Sequence, residues 1–164
     1  MSGQFGCSNI IRTMKLFLML FILALSSCAS DKADVRAQNV GNLTSYASSL
    51  IGAPYKYGGN SPKTGFDCSG FVGHVYRHTL GISLPRSTGD ISRVGKAVRS
   101  DDLLPGDLVF FDTLHRSFSH VGIYLGDDRF IHAPSNGGSV RVENMLDDHW
   151  RNNYNGARRI TLLR

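Results

Sequence analysis

The segment Phe66-Asp67-Cys68-Ser69-Gly70 constrains the fold more than any other, because it places a cysteine at the start of a predicted helix. Asp67 is a suitable N-cap, and the apolar spacing predicts a helix from Cys68 to about Leu80, with Gly81 past its end. Backbone N–H groups and the dipole at a helix N-terminus stabilise a thiolate. Cys68 is therefore a candidate nucleophile, and a buried structural cysteine is the alternative.

The two histidines of this helix are predicted to lie on its exposed side. At about 100° per residue the apolar side chains share the inward face with Cys68, whereas His74 and His78 point outward. Ten residues separate Cys68 from His78, which is roughly 15 Å along a helix axis and too far for one zinc ion. His74 and His78 remain a weak candidate metal pair beside the simpler interpretation of surface histidines, and no metal site is predicted.

Short apolar segments after this helix predict β-strands. Leu108-Val109-Phe110-Phe111 follows a Pro-Gly-Asp turn, and Ser119–Leu125 and Arg129–Ala133 flank a hairpin turn at Gly126-Asp127-Asp128. An earlier amphipathic helix is predicted over Asn42–Ile51. Helices thus precede an antiparallel sheet, which is the α+β class. Two shorter strands are predicted at Val140-Arg141-Val142 and Ala157–Leu162.

The predicted hairpin brings two histidines together. His120 and His132 are equidistant from Gly126, so a turn centred there would place them opposite each other and on one face of the sheet. Cross-strand neighbours have β-carbons about 4.5–5.5 Å apart, and one imidazole can then orient the other. The predicted chain is Cys68 as nucleophile, His120 as general base and His132 as the orienting group. This chemistry needs no metal and no cofactor.

Residues 1–27 are predicted to be a signal peptide. Ten consecutive apolar residues, Leu16–Leu25, follow two basic residues. This run is too short for a membrane-spanning helix, which needs about 20 residues, but it has the length of a signal-peptide core. Met1 and Met14 are both candidate start residues.

The end of the signal segment, Leu25-Ser26-Ser27-Cys28, resembles the bacterial lipoprotein signal. In lipoproteins this cysteine is lipidated and becomes the mature N-terminus; ordinary secretory cleavage is the alternative. An alanine at position 29, in place of aspartate, implies the periplasmic side of the outer membrane. Residues 28–41 are then a lipidated tether, and residues 42–164 form the catalytic domain.

The cysteine count supports a chemical role for Cys68. Cys7 would be lost with the signal peptide, and Cys28 would be consumed by lipid. Cys68 is then the one thiol in an oxidising compartment and has no disulfide partner within its chain.

The charge balance gives little indication of a macromolecular partner. The chain carries 18 basic and 13 acidic residues, and the signal segment holds two of the basic and none of the acidic ones. The remaining positive excess fits anionic cell wall and lipid headgroups or a solvated basic surface. No basic run with interleaved aromatic residues points to nucleic acid.

Six short motifs follow one another over residues 42–160. They are Gly52-Ala53-Pro54-Tyr55-Lys56-Tyr57-Gly58-Gly59, Asp67-Cys68-Ser69-Gly70-Phe71-Val72, Leu84-Pro85-Arg86-Ser87-Thr88, Leu104-Pro105-Gly106-Asp107-Leu108-Val109-Phe110-Phe111, His120-Val121-Gly122-Ile123-Tyr124 and Phe130-Ile131-His132-Ala133. Each motif alone is weak, but in this order they closely resemble the NlpC-type cell-wall peptidases with high specificity. The resemblance implies a papain-like fold, with N-terminal helices packed on an antiparallel β-sheet or small barrel.

The resemblance also implies an activity. Members of this family hydrolyse the amide between γ-D-glutamate and meso-diaminopimelate in peptidoglycan stem peptides, through a cysteine thioester. Residue by residue, Cys68 matches the nucleophile, His120 the base and His132 the third polar residue. In related enzymes a tyrosine before the Gly-Gly pair helps to form the oxyanion hole; Tyr55 is the best match and Tyr57 is the alternative.

Three further residues match positions near the substrate. Asp67 and Ser69 match residues that contact the stem peptide in some relatives, although helix capping explains Asp67 equally well. Arg86 is a candidate partner for a stem carboxylate, and structural pairing with an acid or a carbonyl is its alternative. Trp150 and Tyr154 are interpreted as core residues, and His115, His149 and the pair Asp147-Asp148 as surface groups.

The expected protein is a monomeric, lipid-anchored peptidoglycan endopeptidase. Two alternatives remain open from the sequence. One is an amidase or acyltransferase of the same fold that acts on another acyl group; the complete motif set argues against it. The other is a non-catalytic wall-binding module, which would have no need of Cys68, His120 and His132.

Overall fold

The computed structural model describes residues 34–113, 116–135 and 138–160. The predicted signal peptide, Cys28 and His115 lie outside these residues. Contacts divide the chain into two units, Met1–Gln38 and Asn39–Arg164, and the second unit holds the predicted catalytic domain. None of the described helices is long and apolar enough to cross a membrane.

The first described helix, α1, covers residues 34–49. It extends further towards the N-terminus than the predicted helix over Asn42–Ile51, so residues 34–41 of the predicted tether are helical. The apolar residues Leu43 and Ala47 are buried in the main core, and Tyr46 packs against it. The predicted i, i+4 apolar spacing is therefore confirmed.

The second helix, α2, is Cys68–Leu80, as the sequence predicts. The Asp67 side chain caps its first turn by accepting a hydrogen bond from Gly70 N–H, which is free of an intrahelical partner. Gly81 ends the helix in the left-handed conformation with φ 68°. The inward face is apolar and buried, with Phe71, Val72, Val75 and Tyr76 in the main core.

A six-stranded antiparallel sheet forms the second half of the domain, which confirms the α+β class. Its strand order is β3-β8-β4-β5-β6-β7, and a separate two-stranded sheet pairs β1 with β2. The sequence does not predict β1, β2 and β3, which have two or three residues each. The strands are β1 (Asn60–Ser61), β2 (Gly65–Phe66), β3 (Lys96–Val98), β4 (Leu108–Phe111), β5 (His120–Gly126), β6 (Arg129–His132), β7 (Arg141–Asn144) and β8 (Tyr154–Arg159).

Three short helices complete the described elements, and none of them is predicted from the sequence. They are α3 (Thr88–Ile91), a 3₁₀ turn at Ser100–Asp102, and α4 (Asp148–Asn153). Each has six residues or fewer, which is too short for a periodic apolar pattern to reveal.

The sheet separates two apolar clusters. One face carries Val121, Ile123 and Ile131, which belong to the same cluster as the buried residues of α2. The opposite face carries Phe111 and Phe130, which pack with Trp150 of α4. The interpretation of Trp150 as a core residue is confirmed, since it is 6% exposed. The predicted packing of the Cys68 helix on the sheet is also confirmed.

The loop before β1 lies directly against the start of α2. A β-carbon on Gly70 would lie 2.0 Å from the carbonyl oxygen of Gly59, so the two backbones approach this closely only because residue 70 has no side chain. The Gly59 carbonyl also accepts a hydrogen bond from Asp67 N–H. This close packing holds the loop that carries Tyr55 beside Cys68.

Candidate active site

Cys68 is the first residue of α2 and lies against the backbone of β5. Burial, reinforced by the Asp67 carboxylate, raises the pKa of the Cys68 thiol to about 11. The backbone N–H groups of Val121, Ser69 and Cys68 itself act in the opposite direction. The sequence favours a thiolate stabilised by the helix N-terminus, but burial outweighs that stabilisation, so the resting group is the neutral thiol.

The two predicted histidines are hydrogen-bonded, but they are not directly opposite each other. The register of β5 and β6 pairs Ile123 with Ile131 and Tyr124 with Phe130, and a bulge follows before the turn. Continued along the strands, this register places Gly122 opposite His132 and leaves His120 two positions further on. The sequence places the turn centre at Gly126; the two turn residues are instead Asp127 and Asp128, with φ 50° and 56°.

The diagonal pair still makes a direct contact. Nε2 of His120 lies 2.7 Å from Nδ1 of His132, and the rings are perpendicular with centroids 4.9 Å apart. The prediction that both side chains share one face of the hairpin is confirmed. This contact occupies Nε2 of His120 and leaves its Nδ1 for another partner.

Gly122 makes room for this diagonal contact. A β-carbon at residue 122 would lie 2.6 Å from Cδ2 of Phe130 and 3.3 Å from the β-carbon of His132. A side chain there would displace His132 or Phe130, because real β-carbons essentially never approach other atoms so closely. This close packing explains why the His-Val-Gly-Ile-Tyr motif has glycine at position 122.

His120 is the first residue of β5, and the backbone N–H of the next residue, Val121, faces the Cys68 sulfur. Val121 points into the main core with α2, whereas the His120 ring packs with Trp150 on the other face, with centroids 5.7 Å apart. The thiol therefore lies on the α2 face of the sheet and the imidazole on the opposite face, and both adjoin the first residues of β5.

Burial keeps both imidazoles neutral. It lowers the pKa of His120 to about 3, with a further lowering from His132 and an opposing effect of the Glu143 carboxylate. Burial and then the Arg141 guanidinium lower the pKa of His132 to about 3. The resting site thus holds a neutral thiol and two neutral histidines.

Tyr55 and Tyr57 occupy different environments. The backbone of Tyr55 is fixed by a hydrogen bond from its N–H to the Gly138 carbonyl. Its side chain is half-buried on the core, and its pKa is raised by burial and then by the nearby Cys68. Tyr57 is 89% exposed. Of the two candidates, Tyr55 is the one whose placement fits the site.

Asp67, Ser69 and Arg86 form one hydrogen-bonded cluster beside Cys68. Arg86 binds the Asp67 carboxylate through both terminal nitrogens, at 2.9 and 2.6 Å, and donates to Ser69 Oγ at 2.7 Å. Asp67 also accepts hydrogen bonds from Ser69 Oγ and from the N–H groups of Gly58 and Gly70. These bonds to Arg86, Ser69 and Gly70 outweigh burial and lower the pKa of Asp67. Both structural alternatives, capping by Asp67 and acid pairing by Arg86, are thus present.

His74 is less exposed than the sequence predicts, whereas His78 is exposed as predicted. His74 is half-buried beside Phe66, and its Nε2 lies 2.9 Å from the Tyr46 hydroxyl. Tyr46 also stacks on His78, with ring centroids 3.9 Å apart. The polar face of α2 is covered here by α1, which a single helical wheel cannot reveal. Among the described residues, no group of three or more His, Cys, Asp or Glu side chains could hold a metal ion.

A cleft of about 400 Å³ opens beside His120. Its walls carry charges of both signs, from Arg141, Glu143 and Asp147, and include the rings of His149 and Trp150. The interpretation of His149 as an exposed residue is confirmed. The sequence analysis does not single out Arg141 and Glu143; the signal available was their alternation along the strand that pairs with His132.

This chain is similar in sequence to several bacterial proteins, among them two from Escherichia coli and one from Bacillus subtilis. It is 41% identical over 113 residues to the murein DD-endopeptidase MepH of Escherichia coli, covering 67% of this chain and 42% of that protein. It is 42% identical over 118 residues to the gamma-DL-glutamyl hydrolase of Bacillus subtilis, covering 71% and 28%. It is 38% identical over 152 residues to the probable endopeptidase NlpC of E. coli, covering 87% and 97%. The chain therefore spans less than half the length of the first two relatives.

The fold and the family are established by two further matches. A crystal structure of an NlpC/P60 family protein from Bacillus cereus aligns with a TM-score of 0.68 and 38% identity, over 73% of this chain and 39% of that one. This likeness confirms the expected papain-like fold. The model of the NlpC/P60 family matches residues 52–159, which include Cys68, His120 and His132. The chain belongs to the NlpC/P60 family of cysteine peptidases.

Proposed function

We propose that this protein is a peptidoglycan endopeptidase that hydrolyses the amide between γ-D-glutamate and meso-diaminopimelate in stem peptides. The observation that carries the proposal is the arrangement of three groups. The backbone N–H of Val121 faces the Cys68 sulfur. In the adjacent residue, His120, the ring atom Nε2 lies 2.7 Å from Nδ1 of His132. This arrangement supports the roles of nucleophile, base and orienting group for Cys68, His120 and His132.

The first step is attack of sulfur on the γ-carbonyl carbon of D-glutamate. Because burial favours the neutral thiol and the neutral imidazole, the thiol proton passes to Nδ1 of His120 as the S–C bond forms. The tetrahedral intermediate then collapses, the C–N bond breaks, and His120 returns that proton to the diaminopimelate amine. A thioester on Cys68 remains.

The second step is hydrolysis of the thioester. Neutral His120 takes a proton from water, whose oxygen attacks the thioester carbon. Breakage of the C–S bond releases the γ-carboxylic acid of D-glutamate, which loses its proton to solvent, and His120 returns its own proton to the sulfur. His132 accepts a hydrogen bond from His120 throughout and transfers no proton in either step.

Two donors are available for the oxyanion. Cys68 is the first residue of α2, where backbone N–H groups have no intrahelical acceptor. Tyr55 lies beside the sulfur, and its raised pKa keeps the phenol protonated as a donor. We assign the oxyanion hole to the Cys68 N–H and the Tyr55 hydroxyl, because donors aimed at the developing charge stabilise the transition state.

The surroundings of Cys68 fit the two halves of this substrate. We assign the acyl side to the cluster of Asp67, Ser69 and Arg86, which directly adjoins the nucleophile. We assign the leaving side to the cleft next to His120, because His120 must protonate the leaving amine. Diaminopimelate carries carboxylates, and the cleft presents the guanidinium group of Arg141.

The bond itself is tested by digesting purified muropeptides with the full chain and identifying the products by mass spectrometry. Release of fragments that begin with diaminopimelate, by the wild type and not by Cys68→Ala, supports the proposal. Conversion of cross-linked dimers to intact monomers would identify the D-alanyl cross-link as the target instead. The relative MepH is named a murein DD-endopeptidase, so this outcome is a direct competitor.

We also propose that Cys28 is lipidated and holds the protein at the periplasmic side of the outer membrane. The support is the sequence Leu25-Ser26-Ser27-Cys28, since Cys28 lies outside the described residues. Labelling cells with radioactive palmitate should mark the wild type and not Cys28→Ala. Labelling of both would overturn the assignment to Cys28, and a soluble, unlabelled wild type would support ordinary secretion.

A further inference from the structure

His132 has a buried nitrogen that the reaction described above does not use. Its side chain is fully buried, and its Nε2 has no hydrogen-bond partner among the described residues. The nearest acidic oxygen is Oε1 of Glu143, 3.7 Å away. That separation is within ion-pair range and longer than a hydrogen bond. A buried N–H without a partner is destabilising, so this nitrogen favours a nearby acceptor.

The Glu143 carboxylate is held in place from two sides. The indole N–H of Trp150 donates to its Oε2, and the Arg141 Nε–H donates to its Oε1. Trp150 is nearly buried and packs against both active-site rings, with its centroid 5.7 Å from His120 and 5.0 Å from His132. Trp150 therefore both holds the carboxylate and packs against the histidine pair.

The donor and acceptor roles in the hydrogen bonds of His120 and His132 determine which nitrogen of His132 faces Glu143 with a hydrogen. For Nδ1 of His120 to accept the thiol proton, its Nε2 must carry a hydrogen, which it donates to Nδ1 of His132. His132 is neutral, so its own hydrogen must then lie on Nε2, which faces Glu143. A carboxylate accepts hydrogen bonds only, and it therefore stabilises this tautomer over the other.

We propose that Glu143, held by Trp150 and Arg141, is a positioning residue that fixes the Nε2–H tautomer of His132 and thereby aims Nδ1 of His120 at Cys68. The proposal rests on the proposed cysteine hydrolase function. Among the charged and titratable groups that act on His120, which are His132, Glu143, His149 and Arg141, Glu143 is the acid. It therefore also stabilises the imidazolium that forms when His120 takes the thiol proton.

The direct test is the ring-nitrogen chemical shifts of ¹⁵N-histidine-labelled full-length protein at neutral pH. We expect a protonated Nε2 and an unprotonated Nδ1 at His132 in the wild type, and loss of this single tautomer in Glu143→Gln. Glutamine keeps the volume of the side chain but lacks the charge. In muropeptide hydrolysis, we expect Glu143→Gln to lower kcat by about 10–100-fold, because it removes only part of the contribution of general-base catalysis. KM should stay within about twofold of the wild-type value.

Asp148→Asn is the matched control, because it also removes one carboxylate near Trp150. The Asp148 side chain is 83% exposed and pairs with Arg151 of its own helix. We expect this variant to keep the wild-type spectrum and rate. Partial recovery of kcat in Glu143→Asp over Glu143→Gln would separate charge from packing.

Two results would overturn the proposal. One is a wild-type spectrum with the hydrogen of His132 on Nδ1, which needs no variant to fold. The other is Glu143→Gln with an unchanged tautomer and a kcat within twofold of the wild type. The spectra do not depend on activity, so a wild type that shows the expected tautomer but hydrolyses no muropeptide would count against the proposed function alone.

Discussion

Nδ1 of His132 lies 2.7 Å from Nε2 of His120, although the two residues are offset by two positions across the hairpin of β5 and β6. Diagonal neighbours on a sheet are about 7–8 Å apart at their backbones, so the rings must lean towards each other to touch. The position directly opposite His132 is Gly122, and the missing side chain leaves room for this lean. The pairing thus depends on three residues and not on two.

The two histidines should respond differently to substitution. We expect His120→Ala to lower kcat by at least about 10²-fold, the lower end of general acid–base contributions, because it removes the proton carrier. His132→Ala should lower kcat less, because it removes only orientation. Steady-state kinetics on a defined stem peptide checks this prediction, and equal losses would contradict the division of roles.

Gly122→Ala should reduce activity without abolishing the fold. The new methyl group would lie 2.6 Å from Phe130 and 3.3 Å from His132, so the hairpin must shift and the histidine contact must lengthen. Such overpacking typically costs about 1–3 kcal/mol. Urea unfolding and kcat together measure the effect.

Gly73→Ala is the matched control for that substitution. Nothing lies within 4 Å of the β-carbon position at residue 73, which is inside α2. Alanine there should raise the free energy of unfolding by about 0.5–1 kcal/mol and leave kcat unchanged. A larger loss of activity in Gly73→Ala than in Gly122→Ala would contradict the role of Gly122.

Much of the fold could be predicted because its main elements carry local signals. The capping Asp67, the amphipathic run and the terminal Gly81 define α2 at both ends. Positive φ at Asp127 and Asp128 is typical of hairpin turns, and the sequence places the centre of this turn between one and two residues too early. The strands β1, β2 and β3 were missed because two or three residues carry no periodicity.

The sequence predicts most of the residues of the candidate site, but it does not predict their exact geometry or their protonation states. Hairpin symmetry indicates that His120 and His132 meet, but the bulge between Tyr124 and Gly126 changes their offset, and bulges have no clear sequence signal here. The neutral state of Cys68 depends on burial by the whole core. The position of Glu143 depends on the β6–β7 register, which pairs it with Phe130 beside His132.

The buried histidines should make the protein sensitive to mild acid. Burial lowers the pKa values of His120 and His132 to about 3, so the unfolded chain binds protons that the folded chain does not as the pH falls below about 6.5. From pH 7 to pH 5 each histidine should reduce the free energy of unfolding by on the order of 2 kcal/mol.

His132→Gln isolates this effect in urea unfolding at the two pH values. Between pH 7 and pH 5, the free energy of unfolding of this variant should fall less than that of the wild type. The difference should equal the contribution of one histidine, on the order of 2 kcal/mol. The half-buried His74 also has a lowered pKa, but its contribution cancels in the comparison. Equal decreases in the two proteins would contradict neutral burial of His132.

The Asp67–Arg86 pair should contribute unequally to stability. Arg86 is half exposed, and Asp67 without it keeps the N–H donors of Gly58 and Gly70. Arg86→Ala should therefore cost about 1 kcal/mol or less. Asp67→Ala also removes the cap of α2, which alone costs about 0.5–2 kcal/mol, so it should be more destabilising.

Thermal or urea unfolding of the two variants checks this order, and KM for stem peptides separates binding from folding. If Arg86 contacts the substrate as proposed, Arg86→Ala should raise KM well beyond what its small loss of stability explains. An unchanged KM would assign Arg86 to the Asp67 contact alone.

The most direct test of the central claim is the mass of the protein itself during turnover. The full chain is mixed with a stem peptide, quenched in acid within the first turnovers, and digested for mass spectrometry. We predict a peptide containing Cys68 that carries the γ-glutamyl acyl group, present in the wild type and absent from Cys68→Ala. Hydrolysis by Cys68→Ala, or turnover of the wild type without any acyl adduct on Cys68, would contradict the account.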